Sequence, residues 1–382
     1  MYYQARQIIL EDQVVHQGYL EVVAGKVVAI HQDRPQFGTI DETYAEAIIA
    51  PGLVDTHIHG YGSYDVMDNS KEGLQVIAQG LLECGVTSWL PTTLTASIEE
   101  LSAVVAGIAD CYQDLSGARV QGIFLEGPYF TEKYKGAQNA KYMSDPSIDQ
   151  LAQWIDLAQG LPLKIAIAPE RRGVDAFTRY AVEQGVAVAL AHSDATYDQA
   201  MAAVQAGASI FVHTYNGMSG LHHREPGMVG AALTANQVFA ELICDGHHVH
   251  PAAAKIVTQC RGFDETVLIT DCMRAGGIGE GPSKLGELEV MVHDGKATLV
   301  DGGNLAGSIL TLIESVQNVV AWGLAPLEQA LRMASWVPAQ SVGIEDRCGC
   351  LAPGYPADFI VVDDQAHLLA TYLAGEEVYS QL

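Results

Sequence analysis

The chain has 382 residues, 49% of them hydrophobic and 17% charged, with a formal net charge of −26. That composition excludes a disordered protein, and the length fits a barrel carrying an appended module. The negative charge argues against nucleic acid and anionic membrane as partners, since both require a positive field, and it obliges any phosphorylated ligand to rely on local cations and backbone N–H groups.

The first residues, MYYQARQIILEDQ, lack the basic and apolar regions of a secretory signal, and no apolar run is long enough to span a bilayer. The 7 cysteines form no visible paired framework, so a reducing cytoplasm is the expected location. Residues 2–50 read as short strands, with a hairpin around Ala24, Gly25 and Lys26. The tail has the same texture: DFIVVDD is an apolar run, and HLLATYLAGEEVYSQ is a pair of runs around Gly375. These ends predict one small β-sandwich domain, residues 1–50 plus 346–382, built from both termini.

Between them, residues 51–345 alternate. Short apolar runs ending in polar residues, such as GLVDTHIHG, VQGIFLEGP, LKIAIAPE, VAVALAHSDA, SIFVHTYN and TVLITDC, are separated by Ala/Leu/Glu-rich stretches. Strand–helix alternation over this length implies a parallel α/β sheet, and about eight such units predict a (β/α)8 TIM-type barrel. A doubly wound open sheet is the competing architecture, but neither GxGxxG nor a Walker motif is present to support its nucleotide site.

The run ends carry the chemistry. Asp55, His57 and His59 close the first run, Glu126 a later one, then come His192, His213 and Asp271. In a barrel the carboxyl ends of the strands meet at one face, where active sites form. Histidines and carboxylates gathered there suit Zn²⁺, Fe²⁺ or a similar ion. His57 and His59 stand two apart, so on a strand both imidazoles point the same way. Taken alone, that pair could equally be two solvent-facing histidines, Glu126 a turn carboxylate, His192 a structural residue with Asp194 as a helix cap, and Asp271 one more ligand. Asp271 is also the candidate general acid/base, because an amine anion leaves poorly unless a proton is handed to it. Cys348 and Cys350 lack the further partners of a zinc site and read as structural.

The segments PGLVDTHIHG, LEGPYF, KGAQNA, AHSDAT, HTYNGM, HHREPG, DGHHVH, LITDCM, LAGSILT and LAPGYPADFIVV together resemble the N-acetylglucosamine-6-phosphate deacetylase family of the amidohydrolase superfamily, nearly end to end. The resemblance implies that Glu126, His192 and His213 bind a principal divalent metal (Zn, Fe, Mn or Co). His57 and His59 would hold a second, with Glu126 bridging, so one or two ions per subunit. It implies Asp271 as acid/base and a substrate pocket of Ala137, Gln138, Asn216, Gly217, Arg224, His248, Leu305, Ala306 and Gly307. Arg224 would reach across the interface of a homodimer to the sugar phosphate; by residue type alone it could instead pair with Glu225 at the surface. Some relatives carry a carbonyl-polarising histidine where this chain has Gln138, which can donate a hydrogen bond but not become cationic. The implied reaction is deacetylation of N-acetyl-D-glucosamine 6-phosphate by metal-activated water. The alternatives are an amidohydrolase acting on a cyclic amide or a different N-acyl sugar phosphate, a deaminase, or a catalytically silent metal- or sugar-binding protein.

Overall fold

The computed structural model describes residues 1–35 and 39–382; residues 36–38, within the N-terminal segment expected to be β-rich, lie outside the described residues. The chain opens with strands β1 (Tyr2–Ile9), β2 (Val14–Val23), β3 (Lys26–His31) and β4 (Glu42–Pro51). Ala24 (φ 50°) and Gly25 (φ 75°) make the two-residue turn between β2 and β3, where both positions must be left-handed and glycine fits without strain.

Among the described residues eight main parallel strands follow, with a two-residue strand, Arg119–Val120, paired in parallel beside the second of them: β5 (Leu53–Ile58), β6 (Val86–Pro91), β7 (Ile123–Tyr129), β8 (Leu163–Ile167), β9 (Ala187–Leu190), β10 (Ile210–Phe211), β11 (Phe239–Ile243) and β12 (Thr266–Ile269). β5 pairs with β6, and β7 to β12 pair in sequence order. Parallel bridges Thr92–Phe124 and Ile58–Cys272 join these two sets at both junctions. Alternate residues divide between two cores. Ile123, Leu125, Ile165, Ile167, Val188 and Leu190 pack in the large cluster with helix residues such as Leu101, Val104 and Phe177. Val54, Leu90, Phe124, Ala166, Ala189 and Ile210 pack with one another in a separate cluster. This period of two explains why the runs read as continuously apolar: both faces are buried. Helix starts are set locally by reciprocal caps, Ser97 with Glu100, Thr196 with Gln199 and Thr311 with Glu314.

An antiparallel insert follows: β13 (Gly281–Leu285), β14 (Leu288–His293) and β15 (Lys296–Leu299). The sequence reading assigned no strands here, although Asp294-Gly295 is a good two-residue hairpin turn, with φ of 50° and 72°. Leu285, Val290, Val292 and Ala297 pack against Leu94, Met273 and Ala306, beside the mouth of the parallel strands.

The chain then returns to its starting sheet through β16 (Phe359–Val362), β17 (Leu368–Leu373) and β18 (Glu376–Ser380). The order is β18-β17-β16-β4-β1-β2-β3. Among the described residues the termini thus form one hydrogen-bonded sheet, where a two-layer sandwich was expected. Its curvature explains the difference. Tyr3 on β1 and Tyr372 on β17 are three strands apart, roughly 14 Å in a flat sheet, yet their ring centroids are 5.3 Å apart. The sheet curls over its own core, and the Tyr3 hydroxyl donates to the Gly375 carbonyl at 2.6 Å. Among the described residues no helix is long and apolar enough to cross a membrane.

Candidate metal centre and its cleft

The mouth of the parallel strands gathers six of the predicted residues. Glu126, in phase with the interior-facing Phe124, points inward from β7. Its Oε1 lies 3.4 Å from His192 Nε2 and 3.2 Å from His213 Nε2, and the two imidazole nitrogens are 3.2 Å apart. On the other side, Asp271 Oδ1 lies 3.4 Å from His57 Nε2 and 3.1 Å from His59 Nε2, with those nitrogens 3.3 Å apart. Glu126 stands between the two groups, its Oε1 3.5 Å from His57 and its Oε2 3.4 Å from His59.

Backbone geometry aims several of these groups. His192 and His213 each follow an interior-facing residue, Ala191 and Val212, so strand alternation alone would turn them outward. Left-handed backbone at His192 (φ 44°) and His213 (φ 33°) brings them round, and Asp271 shares it (φ 51°). Such conformations persist where surrounding contacts hold them, and they concentrate at functional sites.

The donor set fits a cation. His192 Nδ1 lies 2.9 Å from the Tyr134 carbonyl, His213 Nδ1 3.1 Å from that of Asn216, and His59 Nδ1 3.2 Å from that of Thr92. A carbonyl only accepts, so each Nδ1 carries a proton, and in its neutral form each ring turns a bare Nε2 to the centre. Bare nitrogens 3.2–3.3 Å apart beside carboxylate oxygens repel one another unless a positive charge joins them. Burial would drive the Glu126 carboxyl up, but the surrounding histidines hold it well below the usual carboxylate range. Burial likewise opposes charge on Asp271 and His59, yet Asp271 is lowered by His57 and His59, and His59 is raised well above the ordinary imidazole value by Asp271 and Glu126. His213 is raised by Glu126 against its burial, whereas burial prevails at His57 and lowers it.

A cleft of 360 Å³ opens over the centre. Its lining includes His59, Glu126, His192, His213 and Asp271, together with the predicted Ala137, Gln138, Asn216, Gly217, His248, Leu305 and Gly307. Three of the predicted substrate residues have contacts away from the open cleft. Gln138 is committed elsewhere: its Nε2 donates to Glu126 Oε2 at 2.5 Å and its Oε1 accepts from Thr95 N at 2.8 Å, so it aims the Glu126 carboxylate. Ala306 is fully buried in the insert's core, its N–H on the Ala297 carbonyl, while its neighbours on either side face the cleft. Arg224 is exposed and does not line the cleft of its own chain; its guanidinium meets His223 Nε2 at 2.7 Å, with no ion pair to Glu225. Asp194 accepts from Lys133 Nζ at 2.8 Å, and Thr196 caps the following helix in its place.

Several residues of the site escaped the sequence reading. Lys164 and Glu241 are fully buried and paired inside the ring of strands. A lone charge within LKIAIA or FAELIC was the available signal, because such a group is rarely buried without a partner. Asp55, already marked by its place at the end of the first run, accepts through Oδ2 from Thr270 Oγ1 at 2.5 Å, and burial pushes its carboxyl up to about 7. Lys133, Tyr134 and Asn304 also line the cleft.

The Amidohydrolase family matches residues 48–378. An N-acetylglucosamine-6-phosphate deacetylase of Vibrio furnissii is 41% identical over 91% of this chain and 86% of its own length. An N-acetylgalactosamine-6-phosphate deacetylase of Escherichia coli O157:H7 is 40% identical over 97% of each chain. Among solved structures, a mutant N-acetyl-D-glucosamine-6-phosphate deacetylase of Mycobacterium smegmatis in complex with N-acetyl-D-glucosamine-6-phosphate superposes with a TM-score of 0.95 at 32% identity, covering 100% of this chain and 99% of that one.

Proposed function

The chain belongs to the amidohydrolase family, and from that premise we propose how its centre performs the hydrolysis that its relatives' names describe. The reaction is deacetylation of N-acetyl-D-glucosamine 6-phosphate: water cleaves the acetamide C–N bond to give D-glucosamine 6-phosphate and acetate. The observation that carries the mechanism is the set of bare Nε2 atoms around Glu126 with Asp271 facing them.

Glu126, His192 and His213 would hold one divalent cation, and His57, His59 and Asp271 a second, with Glu126 shared. Such ions supply Lewis-acid polarisation of the acetyl carbonyl and make water acidic enough to attack near neutral pH. Asp271 takes the proton of the attacking water and returns it to the sugar nitrogen, so that an amine leaves in place of an amide anion. His248, its Nδ1 held by Asp245 Oδ2 at 2.6 Å, has Nε2 free to accept a hydrogen bond from a sugar hydroxyl. The phosphate is anchored by Arg224 of a second copy in a homodimer, beside Asn216 and Gly217. We read the eight parallel strands as a (β/α)8 barrel spanning residues 51–345, with residues 1–50 and 346–382 as the β domain.

A galacto reading has support of its own in the relative from Escherichia coli O157:H7. Acetate release from N-acetylglucosamine 6-phosphate, its unphosphorylated parent and the galacto isomer, with metal analysis of the same preparation, tests all of this. Faster turnover of the galacto isomer would transfer the assignment, and no acetate from any of them would end it.

A further inference from the structure

Three imidazoles at the centre turn their outer nitrogen to a backbone carbonyl, and His57 does not. His57 Nδ1 faces a carboxylate oxygen, Glu241 Oε2, at 3.5 Å, and neither atom has a hydrogen-bond partner of its own. Glu241 is fully buried on β11. Its other oxygen is bound by the ammonium of Lys164, fully buried on β8. Lys164 also donates to the Thr56 carbonyl at 3.3 Å and lies 3.8 Å from the centroid of the Phe124 ring, which meets His57 edge-on at 4.9 Å. Lys164, Phe124 and Glu241 thus box in the side of His57 that faces away from the centre.

A buried ion pair is a weak stabiliser, and packed apolar residues of the same volume often serve a core better. This one lies within the ring of strands, where apolar side chains supply the neighbouring positions. Among the described residues its polar contact with the centre is His57. A carboxylate behind an imidazole fixes the ring and makes its inner nitrogen a better donor than a carbonyl does. The ammonium keeps that carboxylate charged without drawing charge from the centre.

We infer that the Lys164–Glu241 pair is a positioning device for His57 that strengthens one of the two cation positions, the one at His57, His59 and Asp271. The inference rests on the reading that this centre holds divalent cations. His192 and His213 have tethers of their own, on Tyr134 and Asn216, so the position they share with Glu126 lies outside the pair's reach.

The test is a zinc titration of the chelator-treated full chain against a chromophoric competitor. It compares wild type with Lys164→Met/Glu241→Gln, which removes both charges together and leaves neither buried alone. Glu241→Gln by itself provides the same comparison with less change in shape. Wild type is expected to take up two zinc equivalents. The variants should fill one position with wild-type affinity and bind the other about 10- to 100-fold more weakly. Unchanged affinity at both positions overturns the inference, as does equal weakening at both, which is what a general packing defect would produce. A wild type that takes up one equivalent overturns it while leaving the centre's metal reading intact; one that takes up none overturns both.

Discussion

Asp271 and His57 are joined twice: the Asp271 backbone N–H donates to the His57 carbonyl at 2.9 Å, and the Asp271 carboxylate reaches His57 Nε2 at 3.4 Å. The last parallel strand is thereby fastened to the first at the point where the acid/base must face the centre. A carboxylate so placed needs little reorganisation to move a proton. Asp271→Asn keeps the shape and loses the proton acceptor. Its kcat should fall by about 10²- to 10⁴-fold while substrate binding and the zinc held by Glu126, His192 and His213 persist. Acetate release with parallel metal analysis checks this, and turnover within a few-fold of wild type would remove Asp271 from the role.

Gly217 should prove sensitive although it touches no catalytic atom. Its φ is +61°, and a Cβ there would lie 2.8 Å from His192 Nδ1 and 3.2 Å from the Tyr134 carbonyl, in the path of the hydrogen bond that orients His192. Gly217→Ala is expected to lower zinc affinity about tenfold and stability by about 1 kcal/mol. Chelator competition and thermal unfolding measure the two, and a variant equal to wild type in both would contradict the geometry.

Asp245 gives a pH dependence with a definite sign. Burial pushes its carboxyl up, but His248 and the N–H groups of His247 and His248 outweigh that and hold it below the ordinary 3.8. A depressed carboxyl stabilises the fold above its unfolded pKa and loses that contribution as pH falls through the folded value. The stability gap between wild type and Asp245→Asn should therefore be about 2 kcal/mol near neutrality and shrink below pH about 4. Unfolding midpoints of both proteins across that range decide it, and a gap that widens in acid would reverse the sign.

Arg224 predicts complementation between subunits. It lies outside the cleft of its own chain, so Arg224→Ala should raise KM for the phosphorylated substrate at least tenfold, the scale of one lost charge-assisted contact, and leave KM for the unphosphorylated sugar unaltered. Mixing Arg224→Ala with Asp271→Asn, followed by subunit exchange, should restore turnover at low substrate beyond the sum of the two proteins. A mixture no better than that sum would mean that Arg224 does not serve a neighbour's site.

The amino-acid sequence by itself determined the alternation of strand and helix, the β texture of both ends, and the residues of the centre. Each of these is written in local pattern: apolar runs of strand length, turn residues, and polar groups at run ends. The tertiary structure decided which groups face one another. Glu126 points inward by simple alternation from Phe124, but His192 and His213 are out of phase and reach the centre only through left-handed backbone, which no side-chain pattern encodes. Gln138 was legible as a hydrogen-bond donor, yet its commitment to Glu126 and Thr95 depended on a loop folding back over β7. Lys164 and Glu241 are 77 residues apart; what pairs them is the closing of the parallel strands around a shared interior, where a buried charge must find its opposite.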